Sequence, residues 1–149
     1  MKGEFVRIVK HGIQLIGLFA IAASCSAFAQ NKTIAPGPVL SHGRVVGNML
    51  FVAGLKGTPP AGKTLADLDI SAQTEIGLEA VKKVVEEAGF KMTDIVSVNV
   101  YLVDINEIDK MNEVYKKMMP DPKPTRATVE VGHIRSGGRI EISCIAIKQ

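Results

Sequence analysis

Ile95-Val96-Ser97-Val98-Asn99-Val100-Tyr101-Leu102-Val103 is the stretch that decides the fold. Val96, Val98, Val100 and Leu102 alternate with Ser97, Asn99 and Tyr101, the period of two that marks a strand. Helical periodicity flanks it on both sides. Upstream, Ile70, Thr74, Gly77, Leu78, Val81, Val85 and Ala88 recur at helical spacing, with Lys82, Lys83, Glu86 and Glu87 on the wet side. Asp69 or Ser71 can cap its start, and Gly89 suits the position just past its end. Downstream, a second helix is expected from about Asn106 to Met118, with Ile108, Met111, Tyr115 and Met118 as its buried stripe. Asp121-Pro122-Lys123-Pro124 ends it, because proline cannot continue a helix.

Further out, Val45-Val46 and Met49-Leu50-Phe51-Val52 are two apolar runs around Gly47-Asn48, a dipeptide that tolerates positive φ and so favours a two-residue hairpin turn. Leu55 to Leu68 holds Gly57, Pro59, Pro60 and Gly62 and reads as a loop. Two C-terminal strands, about Thr125–Val131 and Arg139–Ile147, flank the loop Gly132–Gly138. The order β-β-α-β-α-β-β predicts an α+β fold, a mixed sheet with both helices on one face. Residues 30–43, with Pro36-Gly37-Pro38, are expected to be an irregular lead-in to a single domain over 44–149. The sheet's other face would carry half-apolar positions such as Tyr101, which favours self-association.

The first twenty-nine residues read as a secretory signal. Lys2, Arg7, Lys10 and His11 form a basic start, Gly12 to Ala23 an apolar run, and Ala27-Phe28-Ala29 a small-x-small cleavage pattern. The apolar run is short for a transmembrane helix, which needs about 20 residues. Two other fates compete with cleavage after Ala29: an uncleaved anchor, and lipidation at Cys25 in Ala22-Ala23-Ser24-Cys25, which lacks the leucine usual three places before the cysteine. The expected product is exported, to a bacterial periplasm or the medium, without stable membrane association. The chain has 18 Lys+Arg and 15 Asp+Glu; losing Lys2, Arg7, Lys10 and Glu4 leaves a net charge of only +1. A clustered basic face is therefore not indicated, and no nucleic-acid partner is expected. Cys144 is then the one remaining cysteine, and its alternation with Ile140, Ile142 and Ala146 marks it as a small core hydrophobe.

No phosphate loop, nucleophile elbow, triad signature or His/Cys cluster at metal-ligand spacing occurs, so no metal is expected. His42 and His133 fall in predicted loops and read as solvated. In Thr125-Arg126-Ala127-Thr128-Val129-Glu130-Val131, the apolar alternation turns Arg126, Thr128 and Glu130 away from Ala127, Val129 and Val131. In the last strand Glu141 and Ser143 likewise oppose Ile140, Ile142 and Cys144. Arg126 and Glu141 are thus expected on the same side of a C-terminal hairpin. A guanidinium grips a carboxylate at two points, and a carboxylate can orient water or pass a proton. From periodicity alone a structural ion pair is the favoured reading.

Six separated segments carry a resemblance: Val46-Gly47-Asn48-Met49-Leu50-Phe51-Val52-Ala53-Gly54, Glu87-Ala88-Gly89, Val100-Tyr101-Leu102-Val103-Asp104, Met111-Asn112-Glu113-Val114-Tyr115, Pro124-Thr125-Arg126 and Glu141-Ile142. In that order and spacing, from about Pro38 onward, the chain resembles the reactive-intermediate deaminase (RidA, or YjgF/YER057c/UK114) family. The resemblance implies a homotrimer of chorismate-mutase-like subunits with clefts between them, and cofactor-free hydrolysis of small 2-imino or 2-enamino acids to 2-oxo acids and ammonia. It implies that Arg126 holds the substrate carboxylate and Glu141 positions or activates water. Asn112, Thr128 (at the place of a frequent cysteine) and Gly54 are implied to line the cleft. Three departures stand out: Leu40 where the family's pocket tyrosine would be, Ala53 for a serine, and Gly54-Leu55-Lys56-Gly57 for Gly-Gln-Ile-Pro. They suggest a more apolar pocket and keep open a non-catalytic carboxylate-binding or protein-interaction role.

Overall fold

The computed structural model describes residues 31–148. The expected signal segment, its cleavage after Ala29 and Cys25 lie outside the described residues. Six strands form one sheet: β1 (Lys32–Pro36), β2 (Ser41–Val46), β3 (Met49–Leu55), β4 (Ile95–Leu102), β5 (Thr125–Glu130) and β6 (Ile140–Ile147). Two helices, α1 (Ile70–Glu87) and α2 (Ile108–Met118), cover one face.

The sheet runs β1-β2-β3-β6-β4-β5, antiparallel throughout except for the parallel pair β4–β5. It is therefore mixed, with both helices on one side, as the element pattern predicts. α1 starts where the Asp69 carboxylate accepts the Ala72 N–H at 2.8 Å, and beyond its end Gly89 takes φ +81. Its stripe of Ile70, Leu78, Val81 and Val85 is essentially fully buried against β3 and β6. α2 packs on α1 and adds Met111 and Tyr115 to the core. From β6, Ile140, Ile142, Cys144 and Ala146 enter the same layer. The β2–β3 turn is the expected one, with Val46 opposite Met49 and Gly47 at φ +64.

Three expectations need correction. The lead-in 30–43 is not irregular: it contains β1 and the start of β2, with only Gly37–Leu40 as the turn between them. β1 shows little pattern because Ile34 is its single buried residue, and its terminal Pro36 is tolerated on an edge strand. The C-terminal strands do not form a hairpin, since β4 lies between β5 and β6. In β4 the inward residues are Ile95, Val98, Val100 and Leu102, while Val96 is 40 % exposed. A register shift against β6 between Ile95 and Ser97 moves Val96 off the buried face.

Gly43 sets how closely α1 approaches the sheet. A Cβ there would lie 2.7 Å from Val84 Cγ1 and 3.3 Å from Ile34 Cβ. Gly43→Ala is expected to lower the unfolding free energy by about 1–3 kcal/mol, the usual range for overpacking, measurable by urea denaturation. An unchanged midpoint would show that α1 yields at no cost. Burial also pushes the Cys144 thiol up to about 12. Iodoacetamide at about pH 8 should leave Cys144 unmodified in the native protein and alkylate it in denaturing urea, as read by peptide mass mapping.

Candidate functional site

On β5, Arg126 stands opposite Val98 and Thr128 opposite Val100. Val98 and Val100 belong to the buried layer, so Arg126 and Thr128 point to the helix side. There α2 meets the guanidinium. Its Nη2 donates to Asn112 Oδ1 at 2.7 Å, its Cζ lies 4.6 Å from the Tyr115 ring centroid, and Nη1 is 3.9 Å from Met111 Sδ. Asn112 and Tyr115 can act together because residues three apart share a helix face. The contact between cation and ring is the favourable cation–π arrangement. Burial raises the Tyr115 phenol above its ordinary range, although the Arg126 charge pulls it back.

This holder leaves the guanidinium's chemistry open. Among the described residues, no carboxylate lies within 4.0 Å of Arg126. A surface cavity of about 520 Å³ adjoins it, bounded also by Lys116, Lys123 and Pro124. Thr128 Oγ1 and the Tyr115 hydroxyl are buried without a hydrogen-bond partner in the described chain.

Glu141 belongs to the opposite face. It pairs across the sheet with Tyr101, while its neighbours Ile140 and Ile142 point to the core. β3 makes room for it through a bulge: between Val52 and Leu55 stand two residues, opposite the single residue between Cys144 and Ile142. Val52 and Leu55 both stay buried, so Ala53 and Gly54 are both displaced outward. The Glu141 carboxylate lies directly against Gly54, where a Cβ would collide with its Oε1 and Cδ. A cleft of about 300 Å³ opens beside it, lined also by Lys56, Tyr101, His133 and Arg135. Among the described residues, Glu141 has no ion-pair partner.

The five expected site residues thus form two half-sites: Arg126, Asn112 and Thr128 on the helix side, Glu141 and Gly54 on the open side. The expectation that Arg126 and Glu141 share one side of a hairpin is wrong. Alternation sorts residues into two faces but does not say which is inward, and on this edge strand the less polar set, Ala127 and Val129, faces out. The two residues are separated by two strand spacings and three residues along the strands, about 14 Å in the plane of the sheet. An ion pair between them within one subunit is excluded. Tyr115, expected only as core, is also the platform for Arg126, and its spacing from Asn112 was the available signal. His133, expected as a solvated loop residue, lines the Glu141 cleft, whereas His42 lies exposed in β2. Among the described residues, no three His, Cys, Asp or Glu side chains converge as a metal site would require.

Residues 31–148 match the family described as Endoribonuclease L-PSP. A RutC family protein of Pyrococcus abyssi is 39 % identical over 117 residues, 77 % of this chain and 92 % of that protein. The 2-iminobutanoate/2-iminopropanoate deaminase of Salmonella typhimurium is 33 % identical over 123 residues, covering 80 % and 94 %. The crystal structure of the YjgF gene product of Escherichia coli superposes with a TM-score of 0.69 at 30 % identity, over 82 % of this chain and 98 % of that one. With the two-helix, six-stranded architecture and the matching segments in place, the chain belongs to the RidA/YjgF/YER057c/UK114 family.

Proposed function

We propose that this protein hydrolyses small reactive 2-imino and 2-enamino acids to 2-oxo acids and ammonia, at sites formed between copies of the chain. The observation that carries the proposal is the Arg126 guanidinium, oriented by Asn112 and Tyr115 yet facing a cavity with no protein carboxylate. Such a group fits a substrate carboxylate in the two-point geometry that arginine favours. The deaminase named among the relatives supports the same chemistry.

The reaction needs few groups because an iminium carbon is already electrophilic. Arg126 fixes the substrate anion. Water adds to the iminium carbon while Glu141 accepts its proton, giving a carbinolamine. Glu141 returns that proton to the nitrogen; the C–N bond then breaks as the hydroxyl gives its own proton to Glu141, the carbonyl forms, and ammonia leaves carrying that proton as ammonium. An enamine enters this route once protonation at carbon gives the iminium. Positioning of this kind supplies several kcal/mol of barrier reduction, and a placed general base contributes about 10²–10⁴-fold.

A substrate of a few atoms does not bridge Arg126 and Glu141 of the same subunit. We therefore assign the site to an interface in which Arg126 of one subunit meets Glu141 of the next, and the closed homotrimer is the assembly proposed. The open sheet face supports association, since Phe51 and Val129 are 41 % and 47 % exposed on it. The basic, apolar and small-x-small segments of residues 1–29 support export of the mature chain, with Gln30 as its first residue. Leu40, 56 % exposed, and Ala53 favour a second function, carboxylate binding without turnover.

With 2-iminopropanoate generated enzymatically, the mature protein should accelerate ammonia release. Arg126→Ala is expected to cut kcat/KM by about 100-fold or more, and Glu141→Gln by about 10²–10⁴-fold. Gly54→Ala should displace the Glu141 carboxylate and lower kcat while leaving the melting temperature nearly unchanged. Co-refolding Arg126→Ala with Glu141→Gln should restore about a quarter of the sites if each site draws one residue from each of two subunits. Equal activity of wild type and Arg126→Ala would end the catalytic proposal, and no restoration on mixing would end the shared site. The intact mass of the secreted protein distinguishes Gln30 from a lipidated Cys25 as the first residue.

A further inference from the structure

The cleft beside Glu141 is cationic in a way that imine hydrolysis alone does not require. Lys56 and Arg135 line it, together with His133, and Glu141 is its single carboxylate. Among the described residues, neither Lys56 nor Arg135 has a carboxylate within 4.0 Å. Charges on a loose surface loop would mean little, because solvent and motion would average them. Here the backbone that carries them is held in place.

The loop that carries His133 and Arg135 is pinned from beneath by Gln73, which is fully buried on α1. Its Nε2 donates to the Gly137 carbonyl at 3.3 Å, and its Oε1 accepts the Arg139 N–H at 2.7 Å. Ile134 is buried and bridges to Gly138, which closes the loop on itself. The turn passes through two successive left-handed residues, Ser136 at φ 62 and Gly137 at φ 75. Lys56 is tied to the same loop: its Nζ donates to the Arg135 carbonyl at 3.0 Å, and its Cδ lies where a Gly138 Cβ would meet it at 3.0 Å. Lys56 and the loop therefore form one unit around the cleft.

We propose that this unit selects substrates bearing a second anionic group: 2-imino acids derived from acidic amino acids, with a carboxylate on the side chain. This rests on the imine-hydrolysis proposal, since Arg126 of the neighbouring subunit takes the first carboxylate and Glu141 faces the reacting carbon. The side chain of the substrate then extends into the Glu141 cleft, where Lys56, Arg135 and His133 meet its far carboxylate. A cleft of about 300 Å³ lies at the small end of ligand pockets, which suits a side chain of one or two carbons and its carboxylate. A purely alkyl side chain would leave the cations unpartnered there and gain less from the site.

The test has a binding arm and a turnover arm, so that failure of the reaction and failure of the selectivity are separable. By titration calorimetry on the wild-type assembly, succinate should bind at least about tenfold tighter than propanoate. Lys56→Gln and Arg135→Gln should each remove most of that difference and leave propanoate binding unchanged. Arg135→Glu should reverse the preference. In turnover, 2-iminosuccinate should show a kcat/KM at least about tenfold above 2-iminopropanoate, and Arg135→Gln should level the two. Equal binding of succinate and propanoate, or a preference that survives all three substitutions, overturns the proposal. If neither imine is hydrolysed but the succinate preference and its loss are seen, the cleft's selectivity stands and the reaction falls.

Discussion

The antiparallel pairing of β6 with both β3 and β4 is the constraint on which the rest of the molecule depends. A last strand lodged in the middle of the sheet can be reached only after the other elements have left a gap for it. β4 therefore pairs on one side of that gap, and β5 must add outside β4, in parallel, after the crossover through α2. The crossover delivers Asn112 and Tyr115 next to Arg126, the second residue of β5 after the Pro124 break. The same pairing sets Glu141 against Tyr101 and against the β3 bulge. Both half-sites are consequences of one strand order.

That strand order is also where legibility in the sequence ends. α1, α2, β3, β4 and β6 show themselves because each buries several residues at a regular period, and burial is what hydrophobic patterning records. β1 buries Ile34 alone, so its pairing with β2 leaves almost no trace in Lys32-Thr33-Ile34-Ala35-Pro36. The face of β5 could not be read for a different reason. On a central strand the apolar set must face the helices, but at the sheet's edge α2 offers Asn112 and the Tyr115 ring, and these accept a guanidinium better than they accept Val129. Arg126 and Glu141 were visible as the two charges of interest, whereas their separation onto opposite faces depended on non-local pairing. His133 and Arg135 lay in a loop whose course depends on Gln73, sixty residues or so away, and no local pattern could place them.

The two half-sites are rigid for different reasons, and this bears on how the proposed site could be completed. Arg126 is held by a hydrogen bond and an aromatic face, both from a helix packed on the core, so its direction is set before any ligand arrives. Glu141 rests on Gly54 because the bulge turns two consecutive β3 residues outward, and only glycine leaves room for the carboxylate there. Neither arrangement needs a moving lid. A shared site between copies then needs the Arg126 side of one copy to meet the open sheet face of the next, and the exposed Phe51 and Val129 give that face an apolar reason to be covered.

This division assigns different parts of the molecule to reaction and to selectivity. Groups proposed to act on the carbon and its carboxylate sit on β5, β6 and α2, elements whose own packing fixes their direction. Groups proposed to read the rest of the substrate sit at Lys56 and on residues 132–138, which contact the core mainly through Ile134 and Gln73. Loop residues of this kind can be exchanged at little cost to folding. In this chain the loop between β5 and β6 is accordingly the part freest to carry the proposed selectivity. It presents two of the cleft's three basic side chains, and its buried tether to Gln73 fixes the backbone that carries them.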